Sequence, residues 1–168
     1  MQPRVLSFAL LVSISGCSQL VGGDDWETLT ELDPVQLEAD RQYCVDAING
    51  FRAMNGLPAL NRSPTMEVYA DEGAQVDAYS GVAHHHFHTT PFTGPNRSLG
   101  ENEVRNWSMP KYGSAREIIR RGLLQMWAEG PGGGHYENMI KNFDEVGCGF
   151  HLDVAKQELT VVHDFRGL

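Results

Sequence analysis

Four segments of this 168-residue chain carry side chains that could do chemistry together. One is a histidine-rich tract, His84-His85-His86-Phe87-His88. Gly134-His135-Tyr136 sets a further histidine just after a glycine run. Gly100-Glu101-Asn102 and Trp127-Ala128-Glu129 each supply a carboxylate. Neutral imidazoles and carboxylates are common ligands of a borderline divalent cation such as zinc. A carboxylate beside an imidazole also orients the ring and raises its basicity. Two histidines and two glutamates gathered from distant segments can hold a metal-bound water, or hydrogen-bond one another without metal. The same groups are ingredients of general-base work, with Glu101 and Glu129 as the catalytic candidates. Patterns that would specify an enzyme class are missing: the sequence contains no G-x-S-x-G, no H-E-x-x-H and no C-x-x-C.

The three cysteines fall into two groups. Residues 1–16 begin with a positive Arg4 and an apolar run from Val5 to Ile14, too short to span a bilayer and read as an export leader. Ile14-Ser15-Gly16-Cys17 resembles a bacterial lipobox, and that resemblance implies a mature chain starting at lipidated Cys17 and held to a membrane. Ser18 after it is compatible with outer-membrane sorting in a host with two membranes. Cys44 and Cys148 remain, and in an exported protein they form one disulfide or stay as buried thiols, with the disulfide preferred. The formal net charge of −9 repels nucleic acid and anionic headgroups, so a nucleic-acid role is disfavoured.

Residues 17–32 lack sustained periodicity and read as a tether, leaving 33–168 as one domain. Asp33-Pro34 is a helix start, and Leu37, Cys44, Ala47, Ile48 and Phe51 fall on one helical stripe that stops at Asn55-Gly56. Ser63-Pro64 starts a second helix running to about Tyr79. Residues 80–113 hold most of the loop signals, with Pro91, Gly94, Pro95, Gly100, Pro110 and Gly113, and read as loop. Ser114-Ala115-Arg116-Glu117 fits a capping box before an amphipathic helix, and His135 to about Asn142 forms a further short one. The β-rich runs Val146–Val154 and Glu158–Phe165 read as a hairpin. Helices first and strands last predict an α/β or α+β domain, with helices covering a small, mainly antiparallel sheet.

Placed on these elements, four motifs coincide with one family. Ile48-Asn49-Gly50-Phe51-Arg52-Ala53-Met54-Asn55-Gly56-Leu57-Pro58-Ala59-Leu60 resembles the opening N-x-x-R-x-x-x-G-L-x-x-L stretch of the CAP superfamily of cysteine-rich secretory, antigen 5 and pathogenesis-related proteins. Gly100-Glu101-Asn102 resembles its G-E-N motif. Gly134-His135-Tyr136 with Asn138-Met139 resembles its G-H-Y motif in a His-x-x-Asn-Met form, and Val146-Gly147-Cys148-Gly149 its V-G-C-G strand. The resemblance covers roughly residues 40–166 and implies a three-layer α-β-α sandwich, secretion and a cleft of two histidines and two acids. Carried over by motif, the cleft residues are His135, Glu101, His88 in Phe87-His88-Thr89 with His86 as the alternative, and Glu129. Glu129 departs from the pattern: it stands two residues after Trp127 rather than three, and Gly130 occupies the usual slot.

The expected function is a membrane-anchored binding module for a lipid, envelope component or protein partner, its cleft able to hold a divalent metal such as zinc. The alternative is a metal-assisted, protease-like hydrolase using the same cleft.

Overall fold

The computed structural model describes residues 28–168. The leader and Cys17 lie outside the described residues.

Helix α1 (Pro34–Met54) starts as its sequence predicts, with the Asp33 carboxylate accepting from the Gln36 amide at 2.7 Å and proline in the first turn. A short strand β1 (Asn61–Arg62) leads into α2 (Pro64–Ser80), which Gly81 closes in the left-handed conformation. Next come α3 (His85–Thr89), β2 (Ser98–Ser108), α4 (Met109–Tyr112), α5 (Ala115–Ala128) and α6 (Gly134–Ile140). Strands β3 (Glu145–Asp153) and β4 (Glu158–Gly167) finish the chain. Ser114 caps α5 by accepting from the Glu117 amide, but the Glu117 carboxylate pairs with Arg120 and Arg121 instead of completing the capping box.

The sheet order is β1-β3-β4-β2, with β1 parallel to β3 and the other pairings antiparallel. Helix α2 packs on one face, and α1, α5 and α6 on the other. The result is the expected three-layer α-β-α sandwich. The β3–β4 hairpin is where the sequence predicts it. The 11-residue strand β2 is a correction to the sequence pattern, which predicts loop over Ser98–Ser108. It has a single β-branched residue, Val104, and many of its side chains are polar, so neither propensity nor alternation marks it. A bulge between Val104 and Trp107 puts Asn106 at φ 56°.

The two faces of the sheet are built differently. The α1/α5/α6 side holds the main core, including Ile48, Ile118, Ile119, Leu123, Met139, Phe143, Leu159, Val161 and Phe165. On the α2 side helix and sheet come much closer, and only Ala70, Ala74 and Val162 form the apolar cluster. Gly147 and Gly149 permit this: a Cβ on either would lie 2.3 Å from the Glu67 amide nitrogen or 2.1 Å from the Ala70 carbonyl carbon. Between them Cys148 points to the other face, where a disulfide joins it to Cys44 of α1. Of the two states open to these cysteines, the structure has the bonded one. Its sequence separation of 104 makes it a long-loop clamp, contributing about 4 to 5 kcal/mol by chain entropy.

The segment read as tether is docked at its end. Leu29 and Leu32 pack against the core, and the Leu29 backbone exchanges two hydrogen bonds with the Gln157 side chain. Among the described residues no helix is long and apolar enough to cross a membrane.

Candidate functional site

The resemblance motifs turn out to be partners of one another. Arg52, almost wholly buried, donates from Nε to the Pro58 carbonyl and from Nη1 to the carbonyls of Met139 and Lys141, tying α1 to the end of α6. Asn49 holds Leu60 through both its amide nitrogen and its oxygen. Asn138 of α6 donates to the Glu101 carbonyl and the Asn102 side-chain oxygen, and Asn102 donates to the His135 carbonyl. Gly100 leaves room for this contact, since a Cβ there would lie 2.8 Å from the Asn138 oxygen. The G-E-N strand and the G-H-Y helix are thereby locked together, and each presents a titratable side chain to the same cleft.

That cleft lies beside β2, the last strand of the sheet among the described residues. His84, Glu101, Glu129, His135 and Asn138 line it, with a volume of about 690 Å³ open to solvent. Two imidazole–carboxylate pairs face each other across it. His84 Nδ1 lies 2.7 Å from Glu101 Oε1, and His135 Nδ1 lies 2.5 Å from Glu129 Oε1. The two rings are 5.9 Å apart, centre to centre.

The histidine brought against Glu101 is therefore His84, where the motif reading placed His88. His88 is exposed on α3, its ring 6.4 Å from that of His84, and it lines only a neighbouring hollow. His86, the alternative, is buried beneath α3, where its amide donates to Asp77 and its ring packs on Tyr69. The reason is backbone conformation. His84 sits in the left-handed region at φ 57°, where a non-glycine residue costs about 1 to 2 kcal/mol. Two glutamates from the same face of β2 hold it there: Glu101 takes the ring and Glu103 Oε2 accepts from its amide at 3.0 Å. A tract with four histidines in five residues contains no pattern that marks the one adopting this turn.

Glu129 reaches the cleft despite its shifted position. It is the C-cap of α5, and Gly130 and Gly132 at φ 68° and 92° turn the following loop back on the helix end. The turn brings the His135 amide to Glu129 Oε2 at 3.0 Å while the ring meets Oε1. Burial raises the Glu129 pKa, but the hydrogen bonds and charge of His135 outweigh it and hold the carboxyl below its ordinary value. For His84, the hydrogen bond its ring makes to the Glu101 carboxylate outweighs desolvation and raises the imidazole pKa. Both glutamates act on the rings in the same sense, fixing the orientation of Nδ1 and leaving Nε2 as the donor atom that remains.

A group the sequence did not mark stands behind Glu101. Asp164 is directly opposite it in the β2–β4 register and is fully buried. Burial first, and the nearby Glu101 carboxylate second, push the Asp164 carboxyl well above the carboxylate range. The shift favours the protonated form of Asp164, so the buried carboxyl stands behind the His84–Glu101 pair with its charge disfavoured.

Comparisons with known proteins agree with this architecture. An extracellular protein containing an SCP domain from Bacillus anthracis superposes with a TM-score of 0.55 at 18% identity, over 82% of this chain and 45% of its own. This chain thus spans less than half of that protein. An outer surface protein of Borrelia burgdorferi has a TM-score of 0.55 at 18% identity, over 81% of this chain and 96% of its own. A venom allergen-like protein of Schistosoma mansoni has a TM-score of 0.54 at 15% identity, over 76% and 88%. No curated protein matches the sequence. At these identities the superpositions speak to fold alone. The sequence model of one family matches residues 45–165, from the middle of α1 to the end of β4 and so across every cleft residue, and the chain belongs to it: the cysteine-rich secretory protein family, CAP.

Proposed function

We propose that this chain is an exported, lipid-anchored binding module whose cleft holds a divalent cation between His84 and His135 and presents it to an envelope ligand, a lipid or a protein. The observation that carries the reading is the matched pair of imidazole–carboxylate contacts, each using Nδ1. Such a contact places the glutamate behind the ring as its orienting partner and turns Nε2 outward as a ligand. The donor set suits a borderline cation such as zinc. It is also short of the three protein ligands usual for a catalytic zinc: Glu101 and Glu129 are engaged on Nδ1, and among the described residues no three histidine, cysteine or acid ligand atoms that include these rings cluster closely enough to share one cation. The remaining coordination positions fall to solvent or to oxygen atoms of a bound partner. That favours capture of an oxygen-bearing ligand over hydrolysis. The leader and lipobox pattern of residues 1–17 supports export and anchoring, as do the extracellular and outer-surface names of two similar proteins.

The test is a calorimetric zinc titration of the full chain carrying Cys17→Ser, disulfide intact, beside His84→Ala, His135→Ala and His88→Ala. Binding in the micromolar range or tighter is expected, weakened more than about 100-fold by either of the first two substitutions and unchanged by the third. Absence of binding, or loss only in His88→Ala, would overturn the reading.

A further inference from the structure

The disulfide has a third neighbour that neither the cleft nor the fold uses. His163 lies directly opposite Cys148 in the β3–β4 register, so the two side chains share the sheet face that carries α1. Cys44, Cys148 and His163 are each wholly buried. One ligand atom from each lies within 4.8 Å of the other two. Among the described residues neither ring nitrogen of His163 has a hydrogen-bond partner, although both are shielded from solvent. A buried imidazole with two idle nitrogens is unusual, because such groups normally find a partner. The asparagine opposite it on β2, Asn102, is spent on His135 and Asn138.

We propose that, before the disulfide closes, Cys44, Cys148 and His163 form a buried Cys₂His site for a zinc-type divalent cation, distinct from the cleft. The newly made chain carries two thiols, and each loses one proton to solvent as its sulfur takes the cation. The imidazole adds a lone pair and no charge. Two thiolates and one divalent cation sum to zero, so the loaded site places no net charge in the core. Two thiolates with one imidazole is a common zinc donor set with one position left for water. Burial pushes the His163 pKa down to about 3, so its ring stays neutral and competent to ligate throughout the physiological range. The cation would join α1, β3 and β4 at the point the disulfide later clamps. Oxidation ends the site: a disulfide-containing oxidant takes two electrons from the two thiolates and becomes two thiolates itself. The Cys44–Cys148 bond forms and the cation leaves, because disulfide sulfurs carry no charge to hold it.

The full chain carrying Cys17→Ser retains only these two cysteines, so a sulfur signal is unambiguous. Cobalt(II) is added to the reduced and the oxidised protein, and the near-ultraviolet thiolate-to-cobalt charge-transfer band is read with the visible bands of tetrahedral cobalt. The cleft histidines give no thiolate band. The expected result is a strong band in the reduced protein, displaced by zinc and absent from the oxidised protein and from Cys148→Ser. His163→Leu should weaken cobalt binding at least about tenfold. If reduction alone unfolds the chain, cobalt should restore its far-ultraviolet circular dichroism along with the band. A folded reduced chain without the band, an unfolded one that cobalt fails to restore, or unchanged affinity in His163→Leu each overturns the proposal.

Discussion

At the scale of single residues, the molecule sets histidine protonation by burial and by the carboxylate beside each ring. His84 is held partly open to solvent by a glutamate that favours its charged form, whereas His163 is sealed in the core with none. The sealed ring has a measurable consequence. Its folded pKa of about 3 lies below the ordinary 6.5, so between those values the unfolded chain binds a proton that the folded chain does not. Stability from this residue is complete above about pH 6.5 and is lost as pH falls towards 3. Denaturant unfolding of the oxidised protein from pH 7 down to 4 should show this decline, and His163→Leu should flatten it. An equally steep decline in the variant would assign acid sensitivity to other groups.

At the scale of elements, close approach on one face and a thick core on the other divide the work. Helix α2 rides almost on the backbone of β3, so the small residues of V-G-C-G are steric necessities. Adding a methyl group at Gly149 would push it against the α2 backbone, which cannot move without lifting the whole helix. Gly149→Ala is therefore expected to destabilise the domain by about 3 kcal/mol or more, read as a lower denaturant midpoint at unchanged slope. The same change at exposed Gly134, which has open space around its Cβ position, serves as the control. On the opposite face, the G-E-N strand and the His-x-x-Asn helix are joined through Asn102 and Asn138, so cleft geometry and packing share the same hydrogen bonds.

At the scale of the whole molecule, an acidic domain with an open cleft is joined to a leader whose cysteine pattern implies a lipid. The net negative charge repels anionic headgroups, so the proposed attachment would rest on acyl chains at Cys17 rather than on the domain. Leu29 and Leu32 pack against the core, so the segment free to act as a linker in the proposed anchoring ends before Leu29. Replacing Cys17 with serine should move the protein from the membrane pellet to the soluble fraction without altering its unfolding midpoint. Persistence in the pellet would place the attachment elsewhere.

The sequence by itself determined the family, the layered architecture, the β3–β4 hairpin and the involvement of Glu101 and His135 in one cleft. These were legible because periodicity, caps and motif order are local properties, and local chemistry decides them. It left open the state of Cys44 and Cys148, 104 positions apart, which depends on where α1 lands against β3. Strand β2 was hidden because its polar side chains answer to the cleft rather than to a half-buried sheet. Only the tertiary structure decided that His84 rather than His88 meets Glu101, because that choice turns on a left-handed backbone held by two glutamates from another strand. Only the fold could bring Glu129 back to His135 around a glycine turn, set Asp164 behind Glu101 and set His163 beside the disulfide. The last two depend on which residues stand opposite one another across strands, and chain spacing does not encode register.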